Sequence, residues 1–229
     1  MHIHKNHLFF LIAMIGAIIC FIGDNLLGCF TPSKLFGNAI LFPAFSFDWA
    51  NANPLRFALG GLCGVVALLM MSFGFYAIYR IMICKKLKYA NIFLISSFVF
   101  TSVGTLYHCV FAMTAFVYNR LFHEGISIAQ SISEELFYTF IGVSALAAIG
   151  FGLLSIILFW AAYKKQICDS KYMALINPLI IMLICVLLSK ILPSTKYING
   201  IFGWGQQSIG LFFTFLIYDI SNIMEQLQK

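Results

Sequence analysis

The sequence predicts an all-α fold: an integral membrane bundle of six transmembrane helices, forming a single domain over residues 1–229. Two observations carry that expectation. The first is composition: 62% of the 229 residues are hydrophobic and only 10% charged, with a mean hydropathy of +0.95. Globular domains hold about 45–50% apolar and about 25% charged residues, so a soluble fold could not cover this much apolar surface. Disordered chains, secreted disulfide scaffolds and nucleic-acid binders are excluded on the same ground. The second is that apolar runs of roughly 20 residues, enough to cross a hydrocarbon core of about 30 Å, recur along the chain. They fall at residues 8–30, 55–82, 92–118, 136–163, 174–192 and 199–219. None alternates at period two, which argues against the strands of a membrane barrel.

The first run could be a secretory signal, and Leu26-Leu27-Gly28-Cys29 has the look of a lipobox. No A-x-A site follows, and Asp24 and Asn25 put polar groups where such a signal needs apolar ones, so a retained first helix is expected. The loop from Thr31 to Pro54, with Pro32, Pro43, Phe42, Phe45, Phe47 and Trp49, is expected on the membrane interface. Gly60 and Gly64 have the spacing that lets helices approach closely. Between the third and fourth runs, Asn119 to Ser133 reads as a half-buried amphipathic turn or helix, with Ser131 and Glu134 at capping-box spacing ahead of the fourth. The sixth run is the weakest, interrupted by Gly203, Gly205, Gln206 and Gln207. No internal repeat is visible.

Basic residues resist translocation, so their distribution sets the orientation. Nine lie on the side of the N-terminus (Lys5, Arg80, Lys85, Lys86, Lys88, Lys164, Lys165, Lys171, Lys229) and five on the other (Lys34, Arg56, Arg120, Lys190, Lys196). Both termini are therefore expected in the cytoplasm, and the formal charge of +6 is mostly this orientation signal. Seven cysteines without C-x-x-C or Cys/His spacing read as small buried hydrophobes. His2, His4 and His7 read as solvated tail residues.

Polar residues inside the runs fall at one level. Asp24, His108 and Lys190 each lie 16 residues from the cytoplasmic edge of their runs, about 24 Å up at about 1.5 Å per residue. Gln206 and Gln207 come close to that level from the descending sixth run, Arg56 enters at the outer end of the second, and Glu134 and Glu135 stand at the mouth of the fourth. Ionisable groups in membrane helices usually face the bundle interior and mark a site. Asp24, Arg56, His108, Lys190, Gln206 and Gln207 are therefore the candidate ligand-binding residues. The bland alternative is a packing salt bridge between Asp24 and Arg56. Thr101, Thr105, His108 and Ala112 share one face of the third run and are expected to form its inward stripe.

Soluble catalytic motifs are absent. The Asp24/His108 pairing is similar to membrane hydrolases of the ceramidase and adiponectin-receptor type, which place Ser, Asp and several His around a zinc. Gln206 and Gln207 stand where the closing His pair would be, so neither a metal nor a cofactor is expected. The Gly23-Asp24-Asn25-Leu26-Leu27-Gly28 segment, Arg56, Gly60-Gly61, Tyr107-His108 and the frame from Asn177-Pro178 to Leu192-Pro193 resemble an uncharacterised bacterial family of multi-pass membrane proteins, a domain of unknown function. That resemblance covers most of the chain and implies the bacterial inner membrane, but no activity. The expected partners are the lipid bilayer and a small-molecule or lipid ligand, with no nucleic acid. Three roles fit: binding or transport of a small solute or lipid, a structural or sensor subunit, and a membrane-embedded enzyme acting on a lipid or isoprenoid with His108 as acid/base.

Overall fold

The computed structural model of the chain describes residues 2–30, 35–36, 45–168, 170–193 and 195–227. The described residues form α1 (His2–Gly28), α2 (Leu55–Cys84), α3 (Ala90–Leu121), α4 (Ile126–Thr139), α5 (Ile141–Tyr163), α6 (Pro178–Ile191), α7 (Lys196–Ile198) and α8 (Gln206–Leu227). A π-helical turn, Asn199–Trp204, leads into α8, and two-residue strands at Leu35–Phe36 and Phe45–Ser46 pair antiparallel.

Four of these helices, α1 from Asn6, α2, α3 and α5, are long and apolar enough to cross a membrane. Their outer faces bear this out. α1 exposes Leu8, Leu11, Ile15, Ile18 and Ile22, and α2 exposes Leu59, Leu62, Leu69, Phe73 and Tyr76. α5 exposes Leu146, Ile149, Leu153, Ile156 and Trp160. Spacings of three and four keep each set on one face, and helices apolar all round suit a lipid solvent.

The inner faces are small instead. A Cβ on Gly16 would come within 2.8 Å of Met70 Cβ, and one on Gly23 within 2.8 Å of Cys63 Cβ and 2.9 Å of the Gly60 carbonyl oxygen. α1 and α2 therefore approach backbone to backbone. From this pair the packing extends to α3 and α5 on one side and to α8 and α6 on the other, while α5 and α6 themselves barely touch. Phe75 joins α2 to α3 and α8 through edge-on contacts with Phe93, Phe100 and Phe215 at 6.3, 6.0 and 5.1 Å.

Several expected boundaries move. Residues 136–163 are not one helix: α4 ends at Thr139, Phe140 turns the chain and α5 begins at Ile141. Ser131 lies inside α4, five residues past its start at Ile126, so the Ser131/Glu134 spacing does not cap a helix. The fifth run shortens to a helix of 14 residues because Asn177 caps it, accepting from the Leu179 N–H, and Pro178 takes its first position. Pro there is favoured because its missing N–H would have had no partner. The Asn177 amide also donates to the Ser155 carbonyl at 2.8 Å, fastening α6 to α5 at that end.

Trp49 is fully buried, ringed edge-on by Phe30, Phe57, Phe111 and Tyr118 at 5.5–6.3 Å. The Asn119 amide holds this segment by donating to the carbonyls of Trp49, Ala50 and Ala52. Pro32, Lys34, Phe42, Pro43 and Lys229 lie outside the described residues, as do the side chains of His2, His4, Lys5, Phe45 and Phe47.

At the opposite end, His7 Nδ1 meets Asp219 Oδ2 at 2.8 Å, Lys85 Nζ meets Glu225 Oε2 at 2.9 Å, and the Tyr89 hydroxyl donates to Gln166. The start of α1, the α2–α3 turn, the exit of α5 and the end of α8 thus gather together.

The α1–α2 contact generates a stability test. Gly23→Ala should lower the unfolding temperature in detergent, by about 1–3 kcal/mol equivalent for overpacking. Gly152→Ala, where an added Cβ meets nothing within 4 Å, should be neutral or stabilise by up to about 1 kcal/mol. Equal responses would contradict the close approach.

Candidate functional site

Asp24 and Cys20 are one helical turn apart on α1 and point the same way, into the space between α1, α3 and α8. Cys20 is 5% and Asp24 9% exposed. The Ser208 hydroxyl of α8 donates to Asp24 Oδ2 at 2.6 Å, and Cys20 Sγ lies 3.8 Å from the same oxygen. His108 arrives from α3 with Nε2 3.9 Å from Cys20 Sγ. The sulfur, carboxylate and imidazole donor atoms all lie within 4.8 Å of one another.

Two glycines make room for this arrangement. A Cβ on Gly64 would sit 2.3 Å from His108 Cγ and 2.4 Å from Nδ1, so the imidazole occupies space that only glycine leaves on α2. A Cβ on Gly28 would strike the Trp204 ring at 2.0 Å, so the π-helical turn seats its indole against the end of α1. π-helical turns are rare and often occur at functional sites.

The cluster forms the polar end of a cavity of about 910 Å³. Leu68, Met71, Phe100, Phe111, Trp204 and Leu211 supply apolar walls, and Tyr107, Ser144, Ser189, Asn199, Gln206 and Gln207 add polar atoms. Ala145 and Ala148 of α5 and Lys190 of α6 line it and are also exposed, placing its mouth at the seam where α5 and α6 barely touch. Gln206 Oε1 is buried without a hydrogen-bond partner.

Of the residues singled out from sequence, Asp24, His108, Lys190, Gln206 and Gln207 all line this cavity. Arg56 does not. Its Nε donates to the Leu26 carbonyl at 2.7 Å and Nη2 to the Asn25 carbonyl at 3.3 Å, with the guanidinium 4.4 Å over the Phe30 ring. Arg56 therefore caps the open carbonyls at the end of α1, where a cation also suits the helix dipole. No Asp24–Arg56 salt bridge forms, because Asp24 is turned toward α8.

The expected stripe of α3 does face inward, with Thr101 and Ala112 buried, but of its four residues only His108 lines the cavity. Phe100, Gly104, Tyr107, His108 and Phe111 line the cavity, whereas Thr101 and Thr105 bond back to the carbonyls of Ser97 and Thr101 at 2.9 and 2.8 Å. Cys20 and Ser208 are the residues that sequence reasoning missed. Cys20 carried one usable signal, its position four residues before Asp24; Ser208 carried none.

The chain belongs to DUF6796, a family of unknown function. The match covers residues 1–223 and so includes every residue of the cavity. No curated protein and no solved structure matches the chain. DUF6796 membership agrees with the family of unknown function that the Gly23–Gly28, Arg56 and Tyr107-His108 segments resemble.

Ser208→Ala should destabilise the protein by about 1–3 kcal/mol, because it strips a buried carboxylate of its oxygen donor. Ser189→Ala, on the same cavity, removes a hydroxyl that only bonds back to the Val186 carbonyl at 2.7 Å and should change stability by about 0.5 kcal/mol or less. Thermal melts of both variants in detergent decide whether the Ser208–Asp24 bond is structural.

Proposed function

We propose that this DUF6796 protein is a six-span protein of the bacterial inner membrane, with both termini cytoplasmic, that binds a small amphiphile or lipid entering sideways between α5 and α6. The observation that carries this reading is the cavity itself: one chamber with a polar end, apolar and aromatic walls, and a mouth on the outer surface of the bundle. Its volume of about 910 Å³ falls within the roughly 300–1,000 Å³ of small-molecule sites. Gln206 Oε1 offers an unused acceptor to a ligand donor inside the chamber.

In this reading α6, with the 3₁₀ turn Lys171–Leu175 before it, is the fifth crossing, and α8 with its π-helical entry is the sixth. The contact of α8 with the start of α1 supports a return to the cytoplasmic side, where basic residues concentrate. A second reading, an enzyme acting on the same lipid or isoprenoid with His108 as acid/base, is favoured by the 3.9 Å approach of His108 to Cys20.

Gently purified protein should carry an amphiphile, identifiable by mass spectrometry of the extract. Ala148→Trp, which plugs the mouth from an exposed position, should reduce the bound amount by about tenfold or more, equivalent to about 1.4 kcal/mol. Identical extracts from both proteins would contradict the binding reading. For orientation, a chain retaining only Cys84 should react with a membrane-impermeant thiol reagent only after permeabilisation, while Glu124→Cys in a cysteine-free chain should react in intact cells. The reverse pattern would overturn the assigned orientation.

A further inference from the structure

The ligand reading treats Cys20, Asp24 and His108 as polar surface, yet a thiol, a carboxylate and an imidazole converging inside a bundle form a more specific instrument. We infer that these three side chains bind a divalent transition-metal ion of the Zn²⁺ class at the polar end of the cavity. The inference stands on their geometry and goes beyond the amphiphile reading.

Zinc bonds are about 2.3 Å to sulfur and about 2.0–2.2 Å to nitrogen and oxygen, so tetrahedral zinc separates its donor atoms by about 3.4–3.6 Å. Cys20 Sγ lies 3.8 Å from Asp24 Oδ2 and 3.9 Å from His108 Nε2, and the three donors span no more than 4.8 Å. Side-chain adjustments below about 1.5 Å would complete three bonds. A thiolate–imidazole–carboxylate set favours zinc and its transition-metal neighbours over Mg²⁺ and Ca²⁺, which prefer all-oxygen shells.

The surroundings fit as well. Ser208 donates to the carboxylate that would coordinate, the kind of supporting hydrogen bond that orients metal ligands. Gly64 leaves the slot that holds the His108 ring. Asp24 forms no ion pair with Lys or Arg among the described residues, so a cation is the missing charge partner. On binding, the ion loses water, the Cys20 thiol proton leaves to solvent and an Sγ–metal bond forms. His108 coordinates through Nε2 with its proton on Nδ1. Thiolate plus carboxylate then balance the two positive charges, leaving a neutral cluster in a low-dielectric interior. Three protein ligands leave a fourth position for water or another small ligand, unlike the closed four-ligand shell of structural zinc sites.

Cobalt(II) is the deciding probe, since a thiolate ligand gives it a charge-transfer absorption in the near ultraviolet that the histidines at the start of α1 cannot produce. Folded full-length protein, verified by its melting transition, should take up about one Co²⁺ per chain with that band, displaceable by Zn²⁺. Cys20→Ser should abolish the band. Asp24→Asn and His108→Gln should weaken uptake by at least about tenfold, and Ser208→Ala by about 10–100-fold. Cys84→Ser, at the exposed end of α2, should bind Co²⁺ as wild type does. Folded wild-type protein without the band, or a band that survives Cys20→Ser, overturns the inference; the wild-type spectrum decides even if a variant fails to fold. Amphiphile content of the same samples separates the two proposals, because an amphiphile without metal removes only the ion, and metal without amphiphile removes only the binding reading.

Discussion

A carboxyl group inside a bundle of apolar helices must find hydrogen-bond partners there, because leaving it unsatisfied costs several kcal/mol. Asp24 is that group, and much of the fold around it follows from satisfying it. α8 must come close enough for Ser208 to reach the carboxylate at 2.6 Å. The backbone before Ser208 does not run on as an α-helix from α7; it passes through the π-helical turn, which sets Trp204 against Gly28 and Gly205 against Phe21. The polar end of the cavity is thus built where three helices meet a single buried acid.

Small residues make that meeting physically possible. Gly16 and Gly23 bring α1 onto the backbone of α2, and Gly64 on the next helix leaves the volume that the His108 imidazole fills. Without the second feature α3 would have to move outward or His108 would have to turn away from Cys20. Stability and site geometry are therefore coupled through the same glycines: packing α1 on α2 also fixes how far Asp24 stands from His108. The seam between α5 and α6 is the counterpart, a place where close packing is absent and the chamber meets the outside.

Much of this was legible in the sequence, for identifiable reasons. The long apolar runs mark α1, α2, α3 and α5 to within six residues at each end, because their length and composition leave few alternatives. Counting depth along the runs places Asp24, His108, Lys190, Gln206 and Gln207 at similar heights, and all line one cavity. Height does not fix rotation, however. Thr101 and Thr105 look polar in sequence but satisfy their hydroxyls on their own helix, so they pack as small residues beside the cavity, which α3 lines with Gly104, Tyr107 and His108. Arg56 falls outside the cavity because the carbonyls that end a helix attract a guanidinium and leave no trace in composition. The break at Phe140 has neither glycine nor proline at it, and the partnership of Cys20 with His108 joins residues 88 apart in the chain.

The most direct measurement is a cryo-electron microscopy map of the full chain reconstituted in a lipid nanodisc, read at the space between α1, α3, α5, α6 and α8. The account predicts an open chamber holding elongated density, with its polar end beside Asp24 and His108 and its tail leaving between Ala148 and Lys190. A closed interior filled by the protein's own side chains, with Asp24 turned to Arg56 or Lys190 in a salt bridge, would contradict it.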